Sequence, residues 1–293
     1  FIQEIKKLRP DIIIIVAYGQ ILNKEFLSIP KLGCINVHAS LLPKFRGSAP
    51  IQWAILEGES KTGVTVQKVS EKLDAGDIIA QKETEIAPFD DFLSLYKRLA
   101  DLGAGVLKES IFLIKNKSVK PMPQDEKLAA YVRKITKEDG LIDWNESALK
   151  IHNKVRALNP WPGTYTFLSG LMIKIIKTEF SKEDVIPNKA FVIPSGSEES
   201  VVGATGRSPL WGKISPFGRN DSSCAVEMTE SNAGDFRMDP GEIIVVDKEK
   251  IAVHCADGMI YIKEIQPEAK RIMTAGEFIS GYRLKPGMRF DKK

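Results

Sequence analysis

The spacing of hydrophobic positions changes several times along the chain, and each change marks an element. Asp11 to Ala17 (DIIIIVA) is an unbroken β-branched run. It predicts a central strand of a parallel sheet, covered on both faces. Gly33 to His38 (GCINVH) predicts a second short strand. A helix is expected from Ser48-Ala-Pro50 to about Leu56, with Ser48 as its cap, Pro50 in its first turn and Gly58 just past its end. Thr62 to Val69 alternates as a strand does. Asp90 is expected to cap a long helix reaching about Lys115, with Leu93, Tyr96, Leu99, Leu102, Val106 and Leu107 as its apolar stripe. Elements in this order predict an α/β domain with a Rossmann-like parallel sheet. Phe1 to Leu8 reads as the end of an amphipathic helix, and a buried strand follows at once. The first strands of the domain are therefore expected to precede Phe1.

The pattern is lost between Ser118 and about Thr136, where two prolines and mixed charges predict a linker. A helix from Asn145 to Leu158 follows, with Ala148, Ile151, His152 and Val155 on one face. Asn159-Pro-Trp-Pro-Gly163 ends it. Short strands are then predicted at Thr164–Leu168, Leu171–Phe180, Gly241–Asp247, Ile251–Cys255 and Met259–Ile265, enough for a small β-barrel. Pro194 to about Ser231 is rich in Ser, Gly, Thr, Arg and Asn and longer than a compact barrel needs. It reads as a surface insertion, or as a basic arm for RNA. The organisation expected is an α/β domain at 1–117, a linker at 118–136, and a barrel domain at 137–293 with the insertion at about 194–231.

Composition narrows the class. Of 293 residues, 43% are hydrophobic and 27% charged, which excludes a disordered chain. The net charge of +4 permits a polyanionic partner without requiring one. The three cysteines, Cys34, Cys224 and Cys255, form no C-x-x-C pair, so a reducing, cytoplasmic setting is expected rather than a disulfide framework. Cys34 fits a small core residue better than a nucleophile. The run from Ile12 to Ala17 is too short for a bilayer, and the scattered His and Cys give no metal-ligand spacing. We expect no membrane partner, no metal, and a monomer.

Chemistry concentrates in Gly33-Cys-Ile-Asn36-Val-His38-Ala-Ser40-Leu41-Leu42-Pro43-Lys-Phe-Arg46-Gly47. Asn36 and His38 stand two apart on a predicted strand, so they share a face. They lie at its C-terminal end, where open α/β sheets place ligands. A neutral imidazole can shuttle a proton, and an amide can donate to a developing oxyanion. An N-x-H pair is also what a histidine satisfied in the core looks like. Val69-Ser-Glu-Lys-Leu73-Asp74-Ala-Gly76-Asp77 follows the next strand, and an adjacent strand would bring Asp74 to His38 across 36 positions of sequence. Its carboxylate could orient the imidazole, or simply serve the turn before Gly76.

NVHASLLPKFRGSAP followed by TGVTVQKVSEKLDAGDII resembles the signature of the folate-dependent formyltransferases. The resemblance implies that Asn36, His38 and Asp74 are the catalytic triad. It implies that Ser40, Leu41, Leu42 and Pro43 line the folate site, together with a pterin-pocket loop at Tyr18 and Gly19 and a closing segment at Leu73. PMPQDEKLAAYVRKITKEDGLIDW, IHNKVRALNPWPGTYT and IQPEAKRIMTAGEFISGYRLKPGMRF resemble the branch that formylates methionyl-tRNA, whose second domain is an OB-like barrel contacting the tRNA. The implied activity is formyl transfer from 10-formyltetrahydrofolate to initiator methionyl-tRNA. Two alternatives stay open: a UDP-amino-sugar formyltransferase, which shares the catalytic strings and an NPWPG-like turn, and an inactive RNA-binding relic. The family's first strand, its Gly-Thr-Pro turn and its early acceptor-stem loop have no counterpart in this sequence, and the insertion is a second departure. Lys134, Lys137, Lys150, Lys154 and Arg156 read as a phosphate-tracking strip or as a solvated helix face. Arg46 could meet a substrate phosphate or cap a carbonyl. Trp161 reads as an interdomain packing anchor or a base-stacking platform.

Overall fold

Alternation at the centre of the chain builds the first layer. The computed structural model describes residues 1–20, 22–179, 239–246 and 249–291, all within one unit formed by Phe1–Ile186 and Asp239–Lys293. Helix α1 (Ile2–Leu8), strand β1 (Ile13–Val16), helix α2 (Lys24–Leu27) and strand β2 (Cys34–His38) come first. They are followed by β3 (Arg46–Gly47), α3 (Pro50–Leu56), β4 (Lys61–Lys68), β5 (Ile78–Glu85) and α4 (Phe92–Lys115). The sheet order is β1-β2-β4-β5. β1 and β2 are parallel, as expected of a Rossmann-like start, while β4 and β5 continue the sheet in antiparallel fashion. The order of elements in the sequence does not set the direction in which β4 enters, and β5 was not foreseen. β1 lies at the sheet edge, with Ile14 and Val16 at 41% and 60% exposure. The expected cover on both faces is absent: among the described residues nothing packs over the face that carries Ile14 and Val16.

β4 is buried from Thr62 to Gln67 on both faces. Val64 and Val66 turn toward α4, and Thr65 and Gln67 turn the other way. The buried side of α4 is Leu95, Leu99, Gly103, Val106 and Ser110. Of the expected stripe, Leu99 and Val106 are buried and Leu102 and Leu107 pack against the core, while Leu93 and Tyr96 in the first turns are more than half exposed. Gly103 and Ser110 do not register as hydrophobic, yet their small size lets the helix approach the sheet. A Cβ on Gly103 would sit 3.4 Å from Val37 and 3.6 Å from Val64. The helix cap is Asp91 rather than Asp90. Asp91 accepts from the Ser94 N–H at 2.8 Å and completes a capping box. Asp90 instead faces inward, accepting from the Ala87 N–H at 2.7 Å and pairing with Arg98. Burial pushes its pKa up, but the Arg98, Ala87 and Ser94 donors outweigh this and hold it below the usual carboxylate range. Ser48 does not cap α3 either; the preceding residue is Ala49, in the left-handed conformation at φ 63°.

Residues 118–136 lie along the first sheet. Met122 and Ile78 exchange backbone hydrogen bonds of 2.9 Å, a short helical turn follows at Glu126–Leu128, and β6 (Tyr131–Val132) pairs in parallel with β3.

The second sheet begins after α5 (Ala148–Leu158), which starts three residues later than expected because Ser147 is its cap. Its strands are β7 (Thr164–Leu168), β8 (Leu171–Glu179), β9 (Ile243–Val246), β10 (Ile251–His254), β11 (Met259–Pro267), β12 (Met273–Thr274) and β13 (Phe290–Asp291). Helix α6 (Ala275–Tyr282) precedes β13 and was not foreseen. The order is β13-β7-β8-β11-β10-β9, with β12 beside β11. The ends of this antiparallel sheet meet: the Ile243 N–H donates to Met288 O at 2.8 Å and the Phe290 N–H to Gly241 O at 2.9 Å. A barrel results, filled by Ile151, Val155, Ile173, Ile175, Ile262 and Phe278. The insertion proposed at 194–231 lies outside the described residues, as does Cys224.

α5 also joins the two layers. Its Ala157 and Leu158 share one apolar core with Ile51, Ile55, Leu95 and Leu99. Arg156 donates to Asp90 O at 2.9 Å and to Asn153 Oδ1, while Lys154 pairs with Glu146 at 2.9 Å. Neither is the free phosphate contact considered above, because both cations are spent inside the fold. Trp161 is 51% exposed and so not a packing anchor. Trp53 of α3 takes that place, donating to Arg133 O at 2.9 Å, with the guanidinium over its ring.

His152 packs between α5 and β8, with Nδ1 2.9 Å from Thr178 Oγ1. Burial, with Arg156 adding to it, pushes its pKa down to about 4 from 6.5. The unfolded chain therefore binds this proton more readily, and stability is lost as the pH falls from about 6.5 toward 4. The loss approaches roughly 3 kcal/mol at the acid end. Denaturant midpoints at pH 7 and pH 4.5 should fall further apart in the wild-type chain than in His152→Gln, and equal differences would remove His152 from the acid response.

Candidate active site

The polar face of β2 and β4 supplies the floor of the site. Asn36 sits directly opposite Gln67, and His38 opposite Thr65. Thr65 and Gln81 secure the following loop. Thr65 donates to Ser40 O at 2.6 Å and accepts from the Leu42 N–H at 3.1 Å, and Gln81 donates to Leu42 O at 3.0 Å. Ser40 and Leu42 are thereby turned into the core, Ser40 donating its hydroxyl to Lys44 O at 2.6 Å. Leu41 and Pro43 remain half-buried.

The expected proximity of Asp74 to His38 is present. Asp74 Oδ2 lies 3.7 Å from His38 Nδ1 and accepts the Gly47 N–H at 2.8 Å. Asp74 Oδ1 accepts from Gln67 Nε2 at 3.1 Å and, at 3.4 Å, from Asn36 Nδ2. These bonds hold Asp74 in the left-handed region at φ 50°, a conformation that costs energy for any residue but glycine. Two glycines allow the close approach. A Cβ on Gly76 would collide with the Lys68 carbonyl, and one on Gly47 with that of Val132. His38 is 7% exposed, and its Nε2 lies 2.9 Å from Phe45 O. A carbonyl can only accept, so Nε2 carries hydrogen and Nδ1 is the nitrogen left to gain or lose a proton.

Tyr18 and Gly19, expected beside a bound pterin, follow β1 in an exposed loop, and Leu73 is 54% exposed beside Asp74. A cavity of about 660 Å³ opens behind the Asp74 loop, lined by Lys24, Leu27, Ser28, Val69, Lys72 and Glu126 among others. Asn36 and His38 do not line it. Cys34 is buried, and that burial pushes its thiol up to about 11, as suits a core residue.

Arg46 meets neither a free phosphate nor a terminal carbonyl. It is fully buried and donates to Gln124, Glu126 and Tyr131 at 2.9–3.1 Å. Burial alone would lower its pKa, but the Glu126 and Tyr131 bonds outweigh it and leave it raised. Gln67, Gln124 and the Gly47 N–H are the contributors that sequence reasoning missed. The signal for Gln67 was an amide in phase with Thr65 on an alternating strand. Gln124 stood in a segment with no period at all. Among the described residues no group of three or more His, Cys, Asp or Glu could hold a metal ion, and no helix is long and apolar enough to cross a membrane.

The formyl transferase model matches residues 1–111, and the model for the formyl transferase C-terminal domain matches 134–211 and 221–283. The methionyl-tRNA formyltransferase of Citrifermentans bemidjiense is 37% identical over 292 residues, covering 100% of this chain and 75% of that protein. The methionyl-tRNA formyltransferase of Thermodesulfovibrio yellowstonii is 40% identical over 288 residues, covering 98% of this chain and 76% of its own. Among solved structures, HypX from Aquifex aeolicus in complex with tetrahydrofolic acid superimposes with a TM-score of 0.60 at 18% identity, covering 96% of this chain and 40% of that one. That likeness concerns the fold. The chain belongs to the formyl transferase family, in its methionyl-tRNA formyltransferase branch.

Proposed function

We propose that this protein moves a formyl group from 10-formyltetrahydrofolate to the α-amino group of methionyl-tRNA, with Asn36, His38 and Asp74 as its catalytic residues. The observation that carries the reading is the meeting of these three side chains at the end of β2, in a chain similar along its whole length to enzymes named for that acceptor. Bound formyl-folate supplies the one-carbon group. The half-buried loop residues Leu41 and Pro43, with the exposed Tyr18 and Leu73 and the backbone of Gly19, are the groups open to it; Ser40 and Leu42 shape the loop from within.

The roles follow from the free valences. Asn36 holds Asp74 only by a long bond, so its amide remains able to donate to the oxygen on which charge collects as the amine attacks. His38 Nδ1 takes the proton lost by the amine and returns it to the departing nitrogen, so one carbon–nitrogen bond forms and one breaks with no net proton change. Asp74 Oδ2 faces Nδ1 and orients the ring for that transfer. Lys134, Lys137 and Lys150 remain exposed on the second domain and its approach, where they can meet phosphates.

Replacing His38 by Ala should lower the rate of methionyl-tRNA formylation by about 10²-fold or more in protein that is still folded at the assay temperature. A rate within threefold of wild type would refute the shuttle role. The acceptor is tested separately by offering methionyl-tRNA and a UDP-linked amino sugar with the same donor. Formylation of the sugar alone would leave the triad standing and overturn the acceptor. Neutralising Lys134, Lys137 and Lys150 to Gln should raise KM for methionyl-tRNA and flatten its dependence on log salt by about 1 per lost phosphate contact, with kcat nearly unchanged. An unchanged salt slope would remove them from the RNA surface.

A further inference from the structure

Arg46 is a buried cation with donors only, and that fact fixes the orientation of two amides in series. Gln124 places one terminal atom 3.0 Å from Arg46 Nε and 2.9 Å from Nη2. A guanidinium cannot accept, so that atom is the oxygen. The Gln124 NH₂ must then face the opposite way, where three oxygens await it: Gly76 O at 2.7 Å, Asp74 O at 2.9 Å and Gln67 Oε1 at 3.1 Å. With its oxygen so engaged, Gln67 has only its NH₂ to turn toward Asp74 Oδ1, at 3.1 Å. Gln67 is 1% exposed, so no solvent replaces these partners.

We propose that Gln124 is a positioning residue for the reaction. Through it the buried Arg46 sets the polarity of Gln67 and the seat of the Asp74 loop, so that the segment joining the two domains completes the active site from behind. The proposal rests on the catalytic reading of Asp74 given above. Gln124 touches none of the reacting atoms; it acts by holding the Asp74 backbone directly and the Asp74 carboxylate through Gln67. The carboxylate then keeps Oδ2 toward His38 Nδ1. Loss of a supporting bond of this kind costs about 10- to 100-fold, because small displacements of a catalytic group are felt strongly.

The decisive variant is Gln124→Glu. It is isosteric and keeps an oxygen on Arg46, so a residue that merely anchors the segment would tolerate it. It cannot donate, however, to Gly76 O, Asp74 O or Gln67. Gln67 is expected to turn its NH₂ toward the new carboxylate and its oxygen toward Asp74. Single-turnover formylation of methionyl-tRNA should fall at least tenfold, with KM for both substrates within threefold. Gln67→Leu, which leaves the Arg46–Gln124 contact untouched, should lose a similar factor. The double variant should be no slower than the slower single by more than threefold, since both cut the same chain. In nuclear Overhauser spectra the Gln67 side-chain amide protons should lose their contact with the Asp74 β protons in Gln124→Glu. A Gln124→Glu rate within threefold of wild type, or multiplicative losses in the double variant, overturns the proposal. If Gln124→Glu melts far below wild type, a Gln67→Leu rate within threefold does so instead. Should the wild-type chain not formylate methionyl-tRNA, the catalytic reading fails, and the spectra alone decide the relay: a retained Gln67–Asp74 contact in Gln124→Glu overturns it.

Discussion

β2 and β4 are covered on both faces, and their residues alternate between an apolar face and a polar one. Val37, Val64 and Val66 meet α4, while Asn36, His38, Thr65 and Gln67 meet the site. A slip of one residue would exchange the two faces. It would press His38 and Asn36 against Gly103 and Leu99 without partners, at a cost of several kcal/mol for each amide or imidazole. The valines turned outward would forgo about 1.5–3 kcal/mol apiece. The register that pairs Asn36 with Gln67 is therefore fixed by stability, and the candidate site inherits it.

A polar face buried this deeply has to be satisfied in full, and much of the local architecture follows from that demand. Thr65 and Gln81 satisfy themselves on the Ser40–Leu42 backbone, which pins the loop after β2. Arg46 presents a harder requirement, since a buried guanidinium stripped of its partners costs several kcal/mol. Gln124, Glu126 and Tyr131 answer it, and all three lie in the segment between the domains. Docking of that segment is thus compulsory for the first domain. β3–β6 pairing and the shared core of α3, α4 and α5 extend the same seam. The candidate site lies against the seam, and the second domain is fastened to the first by bonds that also shape the Asp74 loop.

Much of this was legible in the sequence. Period-two runs located β2, β4 and most strands of the barrel, because a strand's faces are written directly in alternate residues. Asn36 and His38 were readable for the same reason, and their meeting with Asp74 followed from strand adjacency. The stripe of α4 was readable from Leu99 onward, but Gly103 and Ser110 were not, since they contribute to its packing by being small. Asp90 and Asp91 are adjacent, and only the direction of the chain entering the helix decides which one caps it. Arg46 misled because its charge suggests solvent, whereas its partners stand about 80 positions downstream. Gln124 was invisible: a lone amide in an aperiodic segment carries no local trace of the long-range contacts that give it meaning.

Charge illustrates how far composition can overstate a surface. The excess of +4 and the cationic run through α5 invite a polyanion. Yet Lys154 is held by Glu146 and Leu141 O, and Arg156 by Asn153 and Asp90 O. Arg156 carries the interdomain seam and Lys154 is held within the second domain, and releasing either for a phosphate would trade a partly buried, hydrogen-bonded cation for a solvated contact. That exchange is unfavourable, because the groups left behind lose their donors in a dry site. The cations free to track RNA from this region are the exposed Lys134, Lys137 and Lys150. Each neutralised phosphate contributes only about 0.7–0.9 to the salt slope, so three such contacts give a modest, sequence-independent attraction. An attraction of that kind does not distinguish one acceptor from another, so on the proposed reading selection falls to groups near the reacting end, around the exposed Leu73 and the Asn36–His38–Asp74 constellation.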